Sequence, residues 1–384
     1  MTEPLPSAAA VPGARTMRLR GLLRKEMLQI LRDPSSIAIA FVLPLVLLLI
    51  FGYGVSLDAR RVPVALVVEN PTAQATSFAA AFERSPYFEP RLLHQRQRAE
   101  AMLMDGEVRA IVVLRSDFSR RLYDPRGAAI QLLVDGTDAN TARLVSGYVD
   151  GAWHAWLEQT ARDQGVALAS AVELAPRIWF NAAVRSRDFL VPGLIAIIMT
   201  LIGALLTALV VAREWERGTM EALLVTPVST SELLLGKVLP YLALGMGGMA
   251  LSVALAIGLF GVPFRGSFLV LSLASVLFLL AALGMGLLIS TVSKNQFVAG
   301  QVAIVATFLP AFILSGFIFD IESMPTVVQW ITHVIAARYF VAILQTTFLA
   351  GTVWSVVLPN AAALAVMAAV FLGLTKRMTH KHLE

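Results

Sequence analysis

Cysteine is absent from the 384 residues, which excludes a disulfide framework, a thiol nucleophile and a thiolate metal site together. Charge is scarce. Asp, Glu, Lys and Arg make up 15% of the chain against 57% hydrophobic residues, where a soluble domain carries about a quarter of its residues charged. With a mean hydropathy of +0.72, the chain is an integral membrane protein.

Catalytic signatures are missing as well. No G-x-S-x-G, H-E-x-x-H or G-x-x-x-x-G-K-[ST] occurs, and the nearest fragment, Gly236-Lys237, lacks the upstream Gly and the following Ser or Thr. The chain therefore has no P-loop of its own with which to bind ATP. His94, His154 and His333 are scattered through different elements without a carboxylate at metal-ligand spacing, so no metal is expected. Trp153, Trp156, Trp179 and Trp330 read as packing or interface anchors rather than a ligand cage.

Long apolar runs are what the chain has in abundance. Segments at 36–56, 189–211, 232–260, 267–290, 297–319 and 353–375 each reach the ~20 residues that span a hydrocarbon core as helix. The six spans carry essentially no Asp, Glu, His or Arg, whereas an ion-coupled carrier keeps such groups inside the membrane. Energy for any transport must then come from a partner. The first span follows a Pro-, Ala- and Ser-rich tail over 1–16, has no small-residue cleavage site after it, and is expected to stay as an anchor.

The net charge of +5 would suggest nucleic acid in a soluble protein, but here position matters more than the sum, and no nucleic-acid partner is expected. With a cytosolic N-terminus, short cytosolic segments hold 13 Lys and Arg and short outer loops hold two, Arg265 and Arg338. The other 16, all Arg, lie in the long segment 57–188, whose translocation is insensitive to such charge. Both termini, including the tail 376–384, are thus expected in the cytosol.

Residues 57–188 read as a soluble α/β domain outside the membrane, periplasmic in a bacterium. Strand-like runs at 62–68, 110–114 and 129–134 alternate with helical stretches near 72–84, 98–106 and 139–164. At about 130 residues it is large enough for its own core. The block 320–352 is too polar for an ordinary span and too apolar for a free loop, and two short re-entrant helices in the outer leaflet fit it best.

Residues 17–33 place Leu19, Leu23, Met27, Ile30 and Leu31 on one helical stripe, with Arg18, Lys25, Gln29 and Arg32 opposite. An amphipathic helix in the membrane interface follows, with Arg24, Lys25 and Arg32 as its candidate interfacial residues. A stripe packed on protein is the competing reading. Pro34 then breaks the helix, and Ser35 or Ser36 is expected to cap the first span.

The stretch REWERGTMEALLVTPVS (213–229) interrupts the apolar pattern. Burying its first four charges at mid-bilayer would cost about 10 kcal/mol on insertion scales, so it belongs in the cytosol. It reads as a helix end, a bend at Gly218 and a second short helix. Glu214 and Arg217 are spaced to pair at i,i+3, Thr219 to cap a new turn, and Ser229 with Glu232 to form a capping box opening the next span. Its apolar middle, MEALLV, would face water unless a partner covers it.

REWERGTMEALLVTPVSTSELLLGK resembles the first cytosolic loop of the ABC type-2 permeases, the membrane subunits of ATP-driven exporters. FLVPGLIAIIMTLIGALLTALVVAREWERGT before it, and LSGFIFDIESMP (314–325) and ARYFVAILQTTFLAG (337–351) after it, are similar to the same family, so the likeness runs from Met17 to Arg377. It is greatest to the drug-export branch with a large domain after the first span. The resemblance implies a coupling helix within 213–229 that touches the ATPase, with Glu214, Arg217, Gly218, Thr219 and Glu221 carrying that role and 17–33 as the connecting helix. It implies no directly bound cofactor, ATP and Mg being held by the partner ATPase. Other implied partners are a second permease, identical or a sister, and a periplasmic adaptor. The sequence departs from the family in lacking Pro near Asp320, Ala336 and Ala182 and a basic residue near Gln345.

The expected fold is thus an α-helical polytopic membrane protein with six transmembrane helices, an N-terminal interfacial helix and an α/β domain between spans 1 and 2. Its expected function is the permease subunit of an exporter for hydrophobic or amphipathic cargo in a bacterial inner membrane. A membrane sensor or assembly protein using the outer domain for binding is the alternative, and it should carry a sizeable cytosolic output domain, where every cytosolic segment here is short.

Overall fold

The computed structural model describes residues 14–54, 61–122, 130–135, 139–163, 185–219 and 228–379. The expected N-terminal tail up to residue 13, the tail from 380, Trp179, Ala182 and Glu221 lie outside the described residues. Two compact units are present, residues 57–177 and the remainder of the chain.

The larger unit is helical. Helix α1 (Ala14–Leu31) precedes the first apolar helix, α2 (Pro34–Gly54), which widens to π geometry over Ala38–Val42. The helix starts within the stretch expected to be tail. Asp33, rather than Ser35 or Ser36, caps α2. Its carboxylate accepts from the Ser35 amide at 3.2 Å and the Ser36 hydroxyl at 2.8 Å, and Pro34 takes the first helical position, where its missing N–H costs nothing.

Among the described residues, five further helices are long and apolar enough to cross a membrane, which bears out the six spans expected. The second helix of the set, Ser186–Glu216, is nearly all buried from Leu190 to Ala212 and is the axis of the unit. The others are Thr230–Gly258, Phe268–Ser293, Gln296–Leu314 and Trp354–Met378. Between the last two lie Thr326–Thr332 and Ala336–Leu349, bent by 82°, in the block expected to hold two short helices. The missing prolines there have local substitutes. The Asp320 carboxylate closes its turn by accepting from the Glu322 amide and the Ser323 hydroxyl, and Ala336 stands at the first helical position. Gln345, where a basic residue was expected, has a buried amide nitrogen without a hydrogen-bond partner.

Small residues let the axial helix approach Phe268–Ser293 closely. A Cβ added to Gly203 would lie 2.7 Å from the Ala282 Cβ, and one added to Gly286 would lie 2.2 Å from the Ala204 carbonyl oxygen. The seam is stitched by hydroxyls. Thr207 donates to the Leu283 carbonyl and Ser290 to the Ala208 carbonyl, each at 2.8 Å. Such bonds contribute about 0.6 kcal/mol each in membrane bundles.

The smaller unit is a four-stranded mixed sheet, ordered β2-β1-β3-β4, with β1 (Val62–Val68) parallel to β2 (Phe88–Leu93) and β3 (Ala110–Leu114), and β4 (Ile130–Val134) antiparallel to β3. Strands β1 and β3 read as continuous apolar runs because both faces are covered. Ala65, Val67, Ile111 and Val113 pack on the helix Arg96–Met104, while Val64, Leu66 and Val112 pack toward Ala73–Glu83 and Ala139–Asp163. Trp153 and Trp156 are packing residues, stacked on each other at 5.5 Å and edge-on to Phe78.

Candidate functional site

The helices Ser186–Glu216 and Thr230–Gly258 are called α7 and α8 from here, α3 being Ala73–Glu83, α4 Arg96–Met104, α5 Phe118–Arg121 and α6 Ala139–Asp163. The charged stretch singled out in the sequence joins α7 to α8. Its first four residues extend α7, Arg217 caps that helix, and Gly218 follows with φ +68°. That left-handed conformation suits Gly after a helix end. Thr219 donates its hydroxyl back to the Glu214 carbonyl at 3.2 Å and stands in helical conformation after the turn at Arg217 and Gly218. Residues 220–227, including Glu221 and most of the expected second short helix, lie outside the described residues. At the far side the capping box is present as expected. The Ser229 amide donates to Glu232 at 2.8 Å, and the Glu232 amide donates to the Ser229 hydroxyl at 3.2 Å.

Helix α1 braces both ends of this connection. Lys25 pairs with Glu214 at 2.8 Å, and Arg18 pairs with Glu232 at 3.1 Å. A third bridge joins Asp33, just past α1, to Arg213 at 3.0 Å. Behind them is an ionic cluster open to solvent only on the Lys25 side. Lys237 of α8 is 2% exposed and contacts both Glu214, at a short separation, and Glu26 of α1 at 3.2 Å. Two lysines and two glutamates thus neutralise one another where α1, α7 and α8 meet. Burying any one of them unpaired would cost several kcal/mol.

Glu214 therefore pairs across helices with Lys25 and Lys237, not with Arg217 along its own helix. The reason is reach. Lys237 and Glu26 are buried beside it, whereas Arg217 is exposed at the helix end. Among the residues proposed for α1, Lys25 joins the cluster, while Arg24 and Arg32 are exposed. Of the expected stripe Leu19, Leu23, Met27, Ile30 and Leu31, only Ile30 is fully buried. The line Leu22, Glu26 and Ile30 packs on protein, with Leu22 against Gly236 of α8, whereas Met27 and Leu31 remain exposed.

The electrostatics of the two groups outside the apolar helices follow from these contacts. Burial works against the Lys25 ammonium, but the Glu214 and Glu26 carboxylates outweigh it and raise its pKa above 10.5. Burial likewise opposes the Asp33 carboxylate, yet hydrogen bonds from Ser36 and Arg213 prevail and lower its pKa below 3.8.

Sequence reasoning missed Glu26, Asp33, Arg18 and Lys237 as members of one site. A signal for two of them existed. Glu26 is the single acid in an otherwise basic helix, and Lys237 is one of only two charges on α8.

A bundle of six apolar helices, a mixed-sheet α/β insert after the first, and a braced polar connection after the second define a transport permease. The chain belongs to the ABC-2 family: the family profile described as ABC-2 family transporter protein matches residues 34–375. It is a membrane subunit and not the ATPase. The chain is 48% identical over 368 residues to the probable multidrug ABC transporter permease YbhS of Escherichia coli, covering 96% of this chain and 98% of that protein. It is 30% identical over 337 residues to the probable multidrug ABC transporter permease YbhR, covering 86% and 90%. The inner membrane transport permease YhhJ is 27% identical over 340 residues, covering 84% and 89%.

Proposed function

We propose that the chain is the membrane subunit of an ATP-driven exporter of hydrophobic or amphipathic, drug-like or lipid-like molecules, and that segment 213–229 couples it to a separate ATPase. One observation carries the coupling reading: α1 is ion-paired to the last turn of α7 through Lys25 and Glu214 and to the first turn of α8 through Arg18 and Glu232. A push on the connection between them is therefore delivered to three helices as one body. ATP and Mg belong to the ATPase, and its closure would bias the spans between two states. Gly218, Thr219 and Glu221 shape the contact, and Arg217 presents an exposed charge to it. Met27 and Leu31, exposed on α1 beside Arg24 and Arg32, suit contact with the bilayer interface.

The excess of basic residues on the α1 side supports cytosolic termini, and the naming of a relative as an inner membrane permease supports a bacterial inner membrane. The cargo class rests on the apolar spans and on the multidrug designation of two relatives. A second permease, identical or sister, would meet the face of α7 that carries Leu205 and Leu209. There a groove of about 560 Å³ runs to Phe297, Gly300 and Gln301 of the fifth apolar helix, which supports a pathway between spans two and five. The separate core of the soluble unit fits docking of a periplasmic adaptor.

Reconstitution with and without an ATPase tests this reading. Export should require the ATPase, and Arg18→Gln with Lys25→Gln should lower export more than it lowers ATPase co-purification. Export without an ATPase, or full export by the doubly substituted protein, would sink it.

A further inference from the structure

The outer-numbered half of α8 and the start of the next helix, Phe268–Ser293, called α9, diverge around a groove of about 470 Å³. Its floor is Met249, Val253, Leu271 and Ser275, all buried. On the α8 wall, Ala250, Ala254 and Gly258 recur at one-turn spacing and leave the space open. Among the described residues, no charged side chain lines it.

Ser275 is the anomaly. Its side chain is 1% exposed, and its hydroxyl has no hydrogen-bond partner among the described residues. Buried serine and threonine hydroxyls elsewhere in the apolar helices behave differently. Thr200, Ser252, Thr291, Thr307 and Thr375 each donate to a carbonyl one turn back, and Thr207 and Ser290 reach a neighbouring helix. A hydroxyl left unpaired in an apolar setting costs about 1–3 kcal/mol, and its position in the floor gives it one direction in which to find an acceptor. A hydrocarbon tail has none to offer.

We infer that this groove between α8 and α9 is a binding site for a small uncharged molecule that dissolves in the membrane and carries a hydrogen-bond acceptor, a ketone or ester carbonyl, for the Ser275 hydroxyl. The volume lies within the range of small-molecule sites. Met246 and Met249 give it an adaptable wall. The absence of charge in the lining rejects ionised ligands, because nothing there compensates the loss of their hydration. Ser275 lies seven residues into α9, about 10 Å along the helix from its first residue, so the acceptor sits well below the groove's mouth at Phe268. The site needs neither the ATPase nor a second permease.

Benzophenone is the probe. Under irradiation its carbonyl takes a hydrogen from a nearby C–H bond, and the two carbon radicals join, so that the ketone becomes an alcohol bonded to the side chain. Full-length protein in phosphatidylcholine vesicles should be labelled at Met246 or Met249, with labelling that saturates as benzophenone is raised. Phenyl benzoate, an ester, should compete about two- to tenfold better than diphenylmethane, which lacks the acceptor, as one hydrogen bond implies. Ser275→Ala should erase that difference while preserving saturation. Ala254→Leu, at an exposed position, should abolish saturable labelling without altering thermal unfolding. Labelling that rises linearly with benzophenone means that lipid tails fill the groove, and the proposal fails. It fails equally if Ala254→Leu leaves saturable labelling intact, or if Ser275→Ala leaves the ester preferred.

Discussion

Lys237 and Glu214 form an ion pair in which the side chains are 2% and 5% exposed, at the point where α8 crosses α7. Glu26 of α1 completes the ammonium's partners. Such pairs contribute little net stability against an apolar replacement, because desolvation offsets the attraction, but they are costly to break on one side. Their arrangement does fix which residues of α1, α7 and α8 can face one another.

Lys237→Met should therefore be severely destabilising, by about 3–5 kcal/mol, since it removes the buried cation and leaves Glu26 and Glu214 to share the half-exposed Lys25 alone. Adding Glu26→Gln to it should recover part of the loss. Thermal unfolding of the single and double variants in detergent is the measurement. Equal loss in both would mean that the methionine's fit, not the stranded carboxylates, is responsible.

The ion pairs of α1 also predict a pH profile. The Asp33 pKa is lowered by its partners below 3.8, so its contribution is present above that value and disappears as pH falls through the lower, folded value. Lys25 is raised above 10.5, so its contribution is complete below 10.5 and disappears as pH rises through the higher one. Stability from these two groups should be flat from roughly pH 5 to 9. Arg213→Gln should reduce the acid-side loss and leave the alkaline side alone. An acid limb of unchanged size in that variant would remove Arg213 as the partner that matters.

Particular residues show how much was legible in advance. The six apolar helices announced themselves by length, because a bilayer admits few other spanning structures, and the Ser229–Glu232 box was readable because its chemistry is local. Strand β2 was not. Its sequence, FEPRLL, alternates polar groups with a Pro, and such a strand forms only because β1 offers it an edge. The facing of α1 failed for a similar reason. The hydropathy pattern gave Glu26 no place in the apolar stripe, while a lysine 211 positions away draws it into the interior. Long-range pairing of that kind leaves no periodic trace.

The α/β unit, residues 57–177, should fold when expressed alone. Phe78, Phe82, Phe118 and Trp156 close one side of its sheet and the Trp156 indole donates to Ser77 at 3.1 Å, so near-ultraviolet dichroism should be strong and lost in a single thermal transition. A featureless spectrum would show that the membrane helices are needed to hold the sheet together.

Orientation is open to reporter fusions. A reporter active only outside the cytoplasm should work at Gly127 and stay silent at Gly218 and after Arg377. Activity at Gly218 would place the braced connection on the wrong face for an ATPase and remove the coupling proposal with it.

Gly218 gives a sharper test of coupling. It has φ +68° with no neighbouring atom within 4 Å of an added Cβ, so Gly218→Leu brings no clash. Its cost is the left-handed backbone alone, roughly 1–2 kcal/mol, which one extra turn of α7 would relieve. That extension would redirect the connection while leaving Glu214, Lys237 and the α7–α9 seam in place. Insertion and thermal stability should stay near those of the unsubstituted protein, and export should fall by tenfold or more. Gly218→Asn, which tolerates the left-handed region better, should keep much of the export. Glu221→Lys, at the start of the expected short helix, should weaken ATPase co-purification, with the effect growing as salt is lowered. Normal export in Gly218→Leu with the ATPase still bound would reduce the segment to a simple chain reversal.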